Sequence, residues 1–151
     1  SSTSVYGEQG EVNEKTIPIP NTQNGHFLLE CEKLISKRSR YCIIRSSGQY
    51  GDERHPGKSM AGKLKNFGIN ERINLIDLES LLDIIEKNIV SDKYKVINAV
   101  NINHPLKSEF YQIYSNLNHL KSPVIKIIEK EINYKVINTL YSDFKVKKIL
   151  F

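Results

Sequence analysis

The 151-residue chain has no tryptophan, one methionine and only two cysteines. Cys31 and Cys42 have ten residues between them, so they form neither a CxxC redox pair nor a metal-binding knuckle, and a disulfide-stapled scaffold is excluded. They read as two reduced, buried thiols. No apolar run approaches the roughly 20 residues that a helical bilayer crossing needs. Ser1, Ser2, Thr3 and Ser4 supply neither the basic start nor the apolar middle of a signal peptide, and a cytoplasmic location is expected. No GxGxxG turn occurs, so the chain carries no dinucleotide fingerprint of its own. Gly57-Lys58-Ser59 is not a phosphate loop either, because the first glycine of that motif would have to stand where Asp52 is.

What is present is ordinary for a globular protein: 39% hydrophobic and 26% charged residues, in a length that buries about two-thirds of its unfolded surface. The net charge is +5, and much of it lies late, at Lys121, Lys126, Lys130, Lys135, Lys145, Lys147 and Lys148. These lysines are interleaved with Ile, Val and Phe instead of filling one arm or one helix face. They read as a solvated surface, and no nucleic-acid partner is expected.

Ser1 to Gly7 suits a strand end opening into a loop, and residues 8 to 21, with Pro18 and Pro20, should cross the surface without regular structure. Phe27, Cys31, Leu34 and Ile35 fall at helical spacing from Gly25 to Ser36, with Glu30, Glu32, Lys33 and Lys37 toward water. Tyr41 to Ile44 is a short apolar run of the buried-strand type, and the Gly- and Ser-rich stretch from Ser46 to Gly57 should be a long loop at its end. Ile73 to Ile76 predicts a strand. Asp77 can then cap a helix with Leu78, Leu81, Leu82, Ile85 and Ile89 as its buried stripe. Val96 to Val100 predicts another strand, and Phe110, Ile113, Tyr114 and Leu117 another amphipathic helix ending near Pro123. The last thirty residues carry no clear pattern. Strands alternating with helices make this an α/β chain with a mainly parallel sheet, though with too few strands for a complete doubly wound domain.

Ser2-Thr3-Ser4-Val5-Tyr6-Gly7, Arg45 with Gly48, Tyr50-Gly51, Arg54-His55-Pro56 and Arg72-Ile73-Asn74-Leu75-Ile76-Asp77-Leu78 together resemble, in the family's order, the extended short-chain dehydrogenase/reductase family. The similarity is to its nucleotide-sugar epimerase/dehydratase-type members. Val96-Ile97-Asn98 is similar to a late strand of that family. The resemblance implies the C-terminal part of a Rossmann-like doubly wound sheet with a small substrate-binding region, the N-terminal dinucleotide-binding half being absent. Residues 1–151 then form a single unit. Residues 1–60 would hold the last strands and helices of the Rossmann-like part, and 61–151 a mixed substrate-binding region with returning strands.

The resemblance also implies roles. Ser2 matches the serine or threonine that hydrogen-bonds the reacting hydroxyl, with Thr3 and His26 as weaker catalytic candidates; the alternative for Ser2 is that it only completes a turn. Ser46, Ser47 and Gly48 would meet the nicotinamide. Tyr6, Tyr50, Arg54, Arg72 and Asn74 would face substrate. The guanidinium forks of Arg54 and Arg72 suit phosphate oxygens as they suit surface carboxylates, and the two tyrosines could instead be packed aromatics with satisfied hydroxyls. The family's catalytic Tyr, followed four residues later by Lys, falls on Asn24 and Leu28, neither of which does acid–base work. The histidine of the family's late strand-to-helix segment is replaced as well, with Asp77 read in its place.

The resemblance and these replacements leave two functions. One is a fragment of an NAD(P)-dependent epimerase, dehydratase or reductase acting on a nucleotide-sugar-like substrate and inactive alone. The other is a non-catalytic dinucleotide or sugar-nucleotide sensor of the same fold. NAD or NADP would bind the full-length parent and not, tightly, this chain alone; no metal is expected. A chain that begins without Met inside a motif points to truncation, and strands without neighbours point to self-association or reliance on the missing half.

Overall fold

A computed structural model describes residues 1–51, 54–129 and 134–148. Every strand ladder among them is parallel. Strand β1 (Gly10–Val12) pairs with β8 (Lys135–Ile137), β2 (Ile43–Ser46) with β6 (Val96–Ala99), β3 (Gly48–Tyr50) with β5 (Leu75–Asp77), and β4 (Leu64–Gly68) with β7 (Val124–Ile128). A bridge from Ser2 to Ser46 lays the N-terminal segment alongside β2.

The helices start where the local chemistry satisfies their free N–H groups. The Thr22 hydroxyl accepts from Gly25 N at 3.1 Å and opens α1 (Gln23–Ile35). His55 Nδ1 accepts from Gly57 N ahead of the short α2 (Pro56–Met60), whose first residue is proline. Asp77 caps α3 (Leu78–Ser91) by accepting from Ser80 N at 2.9 Å, the role expected of it. Helix α4 (Lys107–Leu117) follows Pro105 and ends at Asn118, short of Pro123. Helix α3 packs on β5 and β6 around Ile76, Leu81, Ile84, Ile97, Ala99 and Phe144. A second cluster joins Val5, Tyr6, Val12, Val100 and Ile137, and a third joins Ile73, Leu75 and Phe110.

Several expectations are corrected. Residues 3 to 6 form a 3₁₀ turn, not a strand end, and the stretch from 8 to 21 contains β1. The long loop after β2 contains β3 and α2. Helix α1 is turned over: Glu32 is buried while Phe27, Leu34 and Ile35 are exposed, because Glu32 meets Arg45 of β2. Helix α3 buries Leu81, Ile84 and Asn88 and leaves Leu78, Leu82 and Ile89 outside. On α4, Phe110 and Tyr114 are buried but Ile113 and Leu117 are not. Cys42 is exposed and Cys31 only half-buried; burial pushes the Cys42 thiol up despite a hydrogen bond from Asn88. No helix among the described residues is long and apolar enough to cross a membrane.

Candidate functional site

The 3₁₀ turn Thr3–Tyr6 forms one wall of a cleft of about 510 Å³. The cleft is lined by Thr3, Ser4 and Gly7, by Glu71 to Leu75, by Asn21 and Thr22 at the start of α1, by Lys107 and Tyr111 of α4, and by Glu8, Tyr134 and Lys135. The turn is held by Ser2, whose hydroxyl accepts from Ser4 N at 3.2 Å while its backbone pairs with Ser46. That leaves the Ser2 O–H proton to donate. Thr3 is buried at the cleft wall, and the Ser4 hydroxyl is enclosed there with no hydrogen-bond partner.

Arg72 and Asn74 share this cleft with Thr3. Arg72 is exposed and anchored by one Nη1–H bond to the His104 carbonyl, which leaves further guanidinium donors. Asn74 is engaged on both polar atoms: its Nδ2 donates to the Lys135 carbonyl and its Oδ1 accepts from Ile137 N, each at 2.8 Å. Its side chain thus stands in for a strand partner of β8. Burial lowers the His104 pKa, with Arg72 adding to the shift and the Ile73 carbonyl opposing it.

Tyr6 is fully buried in a polar chain beneath the turn. Its hydroxyl donates to Asn98 Oδ1 at 2.9 Å and accepts from Arg45 Nη1 at 2.7 Å, and the guanidinium also lies 4.9 Å from its ring centre. Arg45 in turn makes a two-pronged pair with Glu32 at 3.0 and 2.7 Å. Burial raises the Tyr6 pKa, while Arg45 pulls it the other way. This chain ties the serine turn to α1, β2 and β6.

The remaining site candidates lie elsewhere. Ser46 and Ser47 are buried, and the backbone N–H groups of Ser46, Ser47 and Gly48 are engaged by the carbonyls of Ser1, Ala99 and Asn74. The Ser47 hydroxyl also donates to Ala99 O. The backbone N–H groups of these three residues are thus all engaged within the fold. Tyr50 lines a second cleft of about 830 Å³ with His55, Lys58, Asp77, Tyr114 and Lys148. There the His55 ring stacks on Tyr114 at 3.9 Å between centres, and burial raises the Tyr50 pKa. Arg54 is exposed, with its backbone paired to Gly51, and His26 is exposed on the first turn of α1. Asn24 is exposed too, whereas Leu28 packs against the Val5–Ile137 cluster. No group of three or more His, Cys, Asp or Glu among the described residues could hold a metal.

Several cleft residues escaped the sequence reading, Lys107 and Lys135 among them. Lys107 is paired with Glu71, and Lys135, expected at a solvated surface, is half-buried with its ammonium donating to the Thr3 carbonyl at 2.9 Å. Burial lowers the Lys135 pKa, and Glu8 only partly opposes this.

No protein-family model matches the chain. Protein YeeZ of Escherichia coli K12 is 35% identical over 127 residues, which are 82% of this chain and 46% of YeeZ. The chain thus spans about half the length of the curated relatives it matches. Among solved structures, a dTDP-4-dehydrorhamnose reductase from Clostridium acetobutylicum superposes with a TM-score of 0.80 at 15% identity, over 97% of this chain and 60% of that one. The UDP-glucuronic acid 4-epimerase from Bacillus cereus, in complex with NAD, gives 0.75 at 18% identity, over 99% and 55%. The fold is therefore that of the Rossmann-like NAD(P)-binding reductases and epimerases.

Proposed function

We propose that this chain is the substrate-side portion of an NAD(P)-dependent reductase, epimerase or dehydratase, and that a nucleotide-sugar-like molecule sits in the Thr3–Arg72–Lys135 cleft. The observation that carries the reading is that cleft. Its serine–threonine turn and Arg72 line it together, within a fold shared with a UDP-sugar epimerase and a dTDP-sugar reductase. Arg72 would offer planar paired donors to phosphate oxygens, while Ser2, which is not among the residues lining the cleft, would hold the turn that carries Thr3 and Ser4. Tyr6 acts from below, by holding the turn.

The nicotinamide would meet Ser46, Ser47 and Gly48, whose backbone donors are engaged within the fold, and the phosphates of the dinucleotide would be held by another segment. In a parent of the length of YeeZ, the additional half would supply it and would cover the apolar side of α1, where Phe27 is 65% exposed. For the isolated chain this reading expects no tight NAD(P) binding, and self-association through that face. Calorimetry with NADH and light scattering at high concentration check both; a micromolar dissociation constant or a clean monomer would count against them.

A second reading, a sensor that binds without turnover, is favoured by one observation: Asn24 is exposed and Leu28 is a packing residue where the family's acid–base pair would stand. Titrating a parent of the length of YeeZ with UDP-glucose, with and without NADPH, separates the two. Product formation supports the enzyme, saturable binding without product supports the sensor, and no binding refutes both.

A further inference from the structure

We propose that Lys135 is the proton-transfer group of the cleft, exchanging a proton between its Nζ and a hydroxyl of the bound ligand. The inference rests on the reading above in one respect, that this cleft is where the ligand sits. Lys135 opens β8 and is fixed from several sides. Its backbone carbonyl accepts from Asn74 Nδ2, its register partner is Gly10 of β1, and its ammonium donates to Thr3 O. Asn74 is thereby a positioning residue for Lys135.

The surroundings suit a lysine that changes charge. Among the described residues no carboxylate forms an ion pair with it. The charged and titratable groups sharing the cleft are Glu8, Glu71, Arg72, Lys107, Tyr111 and Tyr134. Glu71 and Lys107 neutralise each other as a pair. Glu8 favours the ammonium, while half-burial favours the free amine and sets the net direction. A neutral amine still donates one N–H to Thr3 O and turns its lone pair to the cleft. A ligand hydroxyl then gives its proton to Nζ, the O–H electron pair stays on oxygen, and the ammonium returns the proton in reverse.

The test is a pH titration of the 151-residue protein labelled with ¹⁵N at lysine Nζ, with the Lys135 signal assigned by its loss in Lys135→Arg. Lys135 is expected to titrate below the other lysines. UDP-glucose affinity should carry a pH step at that same value, and the step should vanish in Lys135→Arg, which keeps the cation but cannot release it. Titration of Lys135 at or above the other lysines overturns the inference. So does a pH step that persists in Lys135→Arg. If UDP-glucose does not bind the unmodified protein, the nucleotide-sugar reading fails, and the Lys135 titration alone then decides this inference. Should Lys135→Arg fail to fold, Asn74→Ala supplies the second measurement: loosening β8 must move the Lys135 titration toward that of the other lysines, and an unmoved value overturns the positioning.

Discussion

Replacing Glu32 by alanine would leave the Arg45 guanidinium in the interior without its two-pronged partner. The two side chains are 6% and 7% exposed, and their oxygens and nitrogens lie 2.7 to 3.0 Å apart. Removing one member of such a pair costs about 3–5 kcal/mol, because the remaining charge stays out of water. Arg45 keeps the Tyr6 hydroxyl and the face of its ring, which places the expected loss at the lower end, about 3 kcal/mol. In urea this is a fall in midpoint of roughly 1–3 M at the slopes usual for small domains. The control is Glu30→Ala on the same helix, whose pair with Lys33 is 66% and 60% exposed and contributes about 0–1 kcal/mol. A Glu32→Met, Arg45→Met double variant should recover much of the loss, since matched apolar side chains replace such pairs at little cost. Equal urea midpoints for Glu32→Ala and Glu30→Ala would refute the reasoning.

Asp77→Ala should cost about 1 kcal/mol through loss of the α3 cap, while Asp77→Asn keeps the cap and should cost less. Burial pushes the Asp77 carboxyl up, but the Ser80 and Lys148 hydrogen bonds outweigh it and hold the pKa below its ordinary value. Its stabilisation is then complete above the unfolded pKa near 3.9 and is lost as pH falls through the lower folded value, so acid unfolding followed by circular dichroism should be less steep in Asp77→Asn. Gly57→Ala should destabilise by about 1–3 kcal/mol, because an added Cβ would lie 2.1 Å from the Tyr114 ring that stacks on His55. A thermal midpoint unchanged by that substitution would show that the ring moves aside freely.

The parallel α/β class, the strands at β2 and β6 and the Asp77 cap were legible because each is written locally, as an apolar run or a capping side chain ahead of a periodic helix. Strands β1 and β8 were not, since each is three residues long and the partners Gly10 and Lys135 come together only through the fold. The β4–β7 ladder is mostly exposed and so has no buried-strand signature. Helix α1 misled for a similar reason. Phe27, Leu34 and Ile35 define an apolar stripe by spacing, yet the buried side is chosen by Arg45, a partner thirteen residues from Glu32 on another strand. At the site, the serine turn, Arg72 and Asn74 were found by motif. Lys135 was not, because a lysine among alternating apolar residues reads as a surface position until a carbonyl is seen to hold it.

A nucleotide sugar bound in the Thr3–Arg72–Lys135 cleft is directly observable. Amide chemical shifts of the 151-residue protein, followed by NMR during titration with UDP-glucose, should move saturably at Thr3, Ser4, Arg72, Asn74 and Lys135. Shifts gathered instead at Tyr50, His55, Asp77 and Lys148 of the second cleft, or no saturable shifts at all, would contradict it.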